Sequence, residues 1–208
     1  MRKILLWALI LALLMMGGCK GEKKEYQDPY DREAAIEYAY RYAVQRNPEY
    51  ADFQNNCTNY ISQILVAGGK EMDEPIAPRK DHRITYHNQK NRWFSASMAS
   101  EPERWREFSV STSFCRTGDF VDYWSGVRGM EISRYKNNIV GLKALYKEAR
   151  EGDVILLYKD GKVLHLCLLV AKRDFKLLVN ANTNDYYEHN IMAISPQNYP
   201  EIGLMKME

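Results

Sequence analysis

The stretch Asn55-Asn56-Cys57-Thr58-Asn59-Tyr60-Ile61-Ser62-Gln63 sets a cysteine where a loop turns into a helix. Tyr60, Ile61, Ile64 and Leu65 recur at helical spacing until Gly68-Gly69, and Asn55 and Asn56 are good N-cap residues. Cys57 therefore falls in or beside the first turn. Free N–H groups and the positive end of the macrodipole at a helix start favour the nucleophilic thiolate form of a cysteine. The same N–H of Cys57, with the Asn56 side chain, is placed to donate to a developing oxyanion. This is the local arrangement of a cysteine hydrolase.

Such a nucleophile needs a base. His165 is the polar intruder in Val163-Leu164-His165-Leu166-Cys167-Leu168-Leu169-Val170, and strict alternation puts Val163, His165, Cys167 and Leu169 on one strand face. On that strand alone a hydrogen-bonded core histidine is the simpler reading. Paired with Cys57, it becomes a candidate general base, because an ordinary imidazole pKa near 6.5 suits removal of a thiol proton. A third group should orient the imidazole, and Asn182, on the following strand with Lys176, Leu178 and Asn180 on its face, is the choice. Asn180, Asn184 and Asp185 compete for that role, with ordinary turn chemistry as their alternative.

Other constellations are weaker. His82, His87, His165 and His189 with Cys115 or Cys167 show no CxxC or HExxH spacing, so no metal and no other cofactor is expected. Cys115 and Cys167 either pair or, as the simpler reading, are a loop cysteine and a small buried hydrophobe. The Arg79 to Arg83 cluster reads as a solvated loop.

The elements that position these residues follow from periodicity. A first helix over Arg32 to Gln45 starts at an Asp31 N-cap and presents Ala35, Tyr38, Ala39, Tyr42 and Ala43 on one face before Asn47-Pro48. The stretch from Gly68 to Glu151 has no sustained period. Short helices are expected near Glu101 to Phe108, Gly118 to Trp124 and Ile139 to Ala149, and no binding role follows for Trp93, Trp105 or Trp124. The last third is β-rich: Val154 to Tyr158, Val163 to Ala171, Phe175 to Ala181, and Ile191 to Ile194 as a fourth strand. Helices first and antiparallel strands after give an α+β domain.

The beginning of the chain sets its expected location. Arg2-Lys3 and the apolar run Ile4 to Met16 form an export signal, its 13 apolar residues short of the roughly 20 that span a bilayer. Gly17-Gly18 before Cys19 resembles the lipobox of bacterial lipoproteins, with Met16 where leucine is usual, so residues 1–18 are expected to leave and Cys19 to carry lipid. Residues 19–28 are then a charged tether and 29–208 one domain outside the cytoplasm, acting as a monomer. Of 29 Lys+Arg and 27 Asp+Glu, Arg2 and Lys3 depart with the signal, leaving 27 of each, which gives no reason to expect nucleic acid.

Taken in order, Tyr30-Asp31-Arg32, Asn56 to Gln63, Ala67-Gly68-Gly69, the aromatic middle, Gly152 to Ile155, His165, and Asn184 to Tyr187 resemble the bacterial putative amidase domain over about residues 30 to 195. That resemblance implies a papain-like, NlpC/P60- and CHAP-related fold with the cysteine helix against an antiparallel sheet bearing the histidine. It also implies amide-bond cleavage, often in cell-wall peptide. Two positions depart: Asn56 stands where aspartate is common, and Asn182 where a histidine is often found. The competing reading is a catalytically silent envelope lipoprotein that keeps the fold and binds peptide or glycan.

Overall fold

A computed structural model describes residues 28–80, 82–100, 105–183 and 185–208. Cys19, the export signal, most of the tether and Asn184 lie outside the described residues. The chain is a mixed α+β structure with a six-stranded antiparallel sheet at its centre. Helix α1 (Arg32–Tyr42) is capped by Asp31, whose carboxylate accepts from the N–H of Ala34 at 3.0 Å. Helix α2 (Cys57–Ala67) follows, with residues 57–65 all buried. A buried helix tolerates polar side chains only when each finds a partner. Here Ser62 donates to the carbonyl of Phe114 and Gln63 accepts from the Tyr38 hydroxyl, both at 2.8 Å.

The aperiodic middle forms a three-stranded sheet of β1 (Ile84–His87), β2 (Ser95–Ser100) and β3 (Trp105–Ser111), in the order β1-β3-β2. The helix expected near Glu101 to Phe108 is thus corrected: from Trp105 onward the chain is strand. Trp, Phe and Val suit a strand, and pairing with parallel β1 and antiparallel β2 fixes it. Helices α3 (Thr112–Cys115) and α4 (Thr117–Asp122), the latter running into a π-helical turn, come next. Trp93 packs on Phe114 and on Trp124, both with ring centroids 5.1 Å apart, and these rings belong to the core.

The large sheet runs β4-β9-β5-β6-β7-β8, from β4 (Ile132–Lys136), β5 (Val154–Lys159), β6 (Lys162–Arg173), β7 (Lys176–Ala181), β8 (Tyr186–Asn190) and β9 (Glu201–Met205). Helix α5 (Ile139–Glu148) covers one face while α1, α2 and α4 cover the other. Two-sided burial explains the unbroken apolar run in β6. Leu166, Leu168 and Val170 enter the core under α1 and α2, and Cys167 and Leu169 the core under α5.

Beside the histidine, strict alternation fails. A register shift between Leu157 and Tyr158 pairs Leu157 with His165 but Tyr158 with Val163, leaving Leu164 as the bulged residue. Val163 accordingly packs toward the α2 side, away from Cys167. The fourth strand expected at Ile191 to Ile194 is a single 3-10 turn, Ile191–Ala193, capped by the Asn190 side chain, with Ile191 buried. The strand lies just before it, where Tyr-Tyr-Glu-His-Asn suits a sheet edge.

Candidate active site

Cys57 opens α2, as its surroundings in sequence predict, but the cap differs. Asn56 has near-helical backbone angles and makes no capping bond with its side chain. The acceptor comes from the other side of the molecule: Thr183 Oγ1 takes the N–H of Asn56 at 2.9 Å and the N–H of Cys57 at 3.2 Å. The backbone donor expected for an oxyanion is therefore occupied by a hydroxyl in this state. Thr183 itself holds φ at +94°, a strained value for a β-branched residue, just beyond the end of β7.

Buried amides fix the same junction. Asn182 donates to the carbonyls of Tyr42 (3.1 Å) and Ala43 (2.7 Å), and its Oδ1 accepts from Asn56 at 2.9 Å. Asn59 donates to Asn56 Oδ1 and to the Ala51 carbonyl, each at 2.8 Å. This chain of amides ties the end of α1, the end of β7 and the start of α2 together. Asn182 thus makes no hydrogen bond to His165, and the Asn56 amide is engaged inside the protein rather than in the cleft. Among the rivals, Asn180 bonds Ala39 and Glu188, and Asp185 pairs with Arg46.

Cys57 and His165, far apart in the chain, line one cleft of about 420 Å³. Both are nearly buried, 5 % and 7 % exposed. No hydrogen bond joins them. The Cys57 sulfur has Thr58 Oγ1 at 3.9 Å, and that hydroxyl meets Thr117 Oγ1 at 3.1 Å, joining the starts of α2 and α4. Among the described residues His165 Nε2 is buried without a hydrogen-bond partner, and the ring meets Tyr186 edge-on with centroids 5.8 Å apart. Burial lowers the His165 pKa to about 4, so the imidazole is neutral at ordinary pH.

The other described cysteines are also free and buried. Burial raises the thiol pKa of Cys115 to about 12 and that of Cys167 well above its ordinary value, so neither is a ready nucleophile. Cys115 borders the cleft with Asn55, Arg116, Thr117 and Leu164. Of these, Asn55 stood out in sequence as an N-cap candidate and Cys115 as a thiol, while Arg116, Thr117, Leu164 and Thr183 gave no sequence signal. Among the described residues no group of three or more histidine, cysteine or acidic side chains is arranged to hold a metal ion. Nor is any described helix long and apolar enough to cross a membrane.

The putative amidase domain family matches residues 29–204. The chain is similar to the uncharacterized protein YhbB of Bacillus subtilis (strain 168), 34 % identical over 163 residues that make up 75 % of this chain and 42 % of that protein. It is also similar to the uncharacterized protein YjcM of the same strain, 23 % identical over 158 residues, 75 % of this chain and 31 % of that one. The chain thus spans less than half the length of either relative. No solved structure matches.

Proposed function

The chain belongs to the putative amidase domain family, and from that premise we propose that it is a thiol amidohydrolase that cuts an amide bond in cell-wall peptide. The observation that carries the reading is the convergence of Cys57 and His165 on one cleft. His165 takes the Cys57 proton as sulfur attacks the carbonyl carbon, then returns it to the departing amine. A water, deprotonated by His165, cleaves the thioester, releases the acid and restores the thiol. The neutral imidazole with a partnerless nitrogen suits the first step, since a buried unpaired nitrogen gains from a proton donor.

Asn55, at the cleft, takes the side-chain oxyanion role expected of Asn56. Asn182 and Asn56 act as positioning residues that fix the start of α2. The fold that accompanies this reading is papain-like, of the NlpC/P60 kind, supported by a helix-start cysteine beside an antiparallel sheet carrying the histidine. The anchor follows from Arg2-Lys3, the apolar run and Cys19, and holds the domain outside a bacterial membrane.

One observation favours a second reading, a peptide- or glycan-binding domain without catalysis: the Cys57 N–H is occupied by Thr183. Incubating the full chain and Cys57→Ala with purified muropeptides, followed by mass spectrometry, separates the two. Cleavage by wild type alone is expected. Muropeptides retained by the protein and recovered intact would replace the hydrolase with the binder.

A further inference from the structure

Arg116 stands in the same cleft as Cys57, on the link between α3 and α4. Its backbone is pinned: the N–H donates to the Thr112 carbonyl at 2.8 Å, and its carbonyl accepts from Phe120 at 2.9 Å. Its side chain is exposed and, among the described residues, forms no ion pair and no hydrogen bond. The acid on the following helix, Asp119, is met by Lys90 at 3.1 Å and feels the charge of Arg116 without pairing with it.

Among the described residues no aspartate or glutamate lines the cleft, whose other walls are threonines, Asn55, Gly118, two thiols, His165 and Leu164. His165 is uncharged near neutral pH, so Arg116 is the one full charge among the lining residues. A guanidinium held on rigid backbone in an otherwise neutral cleft attracts an anion, and its planar fork matches a carboxylate. Across the lining, Leu164, 50 % exposed at the bulge of β6, supplies an apolar wall.

Resting on the amidohydrolase reading, we propose that Arg116 determines specificity by binding a free carboxylate beside the scissile amide, with a small apolar side chain of the same substrate against Leu164. The substrate class is then an acidic peptide rather than a neutral amide.

The test alkylates Cys57 of the full chain with iodoacetate, an anion, and with iodoacetamide, its neutral counterpart, and quantifies the Cys57 peptide by mass spectrometry. The iodoacetate-to-iodoacetamide rate ratio, divided by that of free cysteine, cancels effects common to both reagents. It should be about fivefold in wild type, fall to about one in Arg116→Gln and be largely kept in Arg116→Lys. It should also shrink as salt rises from about 50 to about 500 mM. A wild-type ratio near one, or a preference that survives in Arg116→Gln, overturns the assignment while leaving the hydrolase reading intact. A Cys57 unreactive to both reagents sinks the hydrolase reading and the role of Arg116 with it.

Discussion

In the proposed mechanism His165 must be neutral to take a thiol proton, and burial achieves this by making the imidazolium expensive. With its folded pKa lowered to about 4 from the ordinary 6.5, the ring stays uncharged through the whole neutral range. Protonation switches off a base, so amide cleavage should be lost on acidification through about pH 4, with no inflection near 6.5 in the acid limb of kcat/KM. His165→Gln should cut kcat by about 10²- to 10⁴-fold. An inflection at 6.5 would mean that the imidazole is solvated during turnover. Cys57 and His165 were legible because each breaks the pattern of its own element, a cysteine at a polar helix start and an imidazole in an apolar strand. The partners of Asn182 were not, because they are carbonyls at the end of α1, remote in the chain.

At the scale of elements, α2 borrows its cap from the β7–β8 turn. Thr183 Oγ1 accepts from the N–H groups of Asn56 and Cys57, which couples the Cys57 helix to that turn. Thr183→Val keeps shape and removes the acceptor, so it should lower unfolding free energy by about 1–2 kcal/mol, read by urea denaturation. Thr183→Ser should lose much less. Equal stability of all three forms would show that water replaces the hydroxyl. The β6 strand was readable because burial on both faces writes a continuous apolar run. The bulge at Leu164 was not, since only the pairing with β5 reveals it. Strand β3 was missed for a similar reason: its local sequence shows no clean period, and only pairing with β1 and β2 identifies it.

Across the whole molecule, the two ends of the described chain are knotted together. Asp153, fully buried, accepts from Arg32 at 2.8 Å, from the Arg150 N–H at 2.8 Å and from the Met207 N–H at 3.1 Å. Lys70 donates to the carbonyls of Asp28 (2.8 Å) and Glu208 (2.6 Å), and Arg128 pairs with Asp28. Asp153→Ala leaves three donors without their acceptor and should destabilise by about 3 kcal/mol in urea unfolding; a change under about 0.5 kcal/mol would show that the knot is slack. The sequence by itself determined the α+β class, the helix-start cysteine, the histidine strand and the family likeness, because these are written in local periods and short motifs. Only the tertiary structure decided that Thr183 caps Cys57, that Asn182 serves α1 and Asn56, and that Arg116 shares the cleft. Hydrogen-bond partners and cleft walls come from segments distant in the chain, and no local pattern encodes which of them meet.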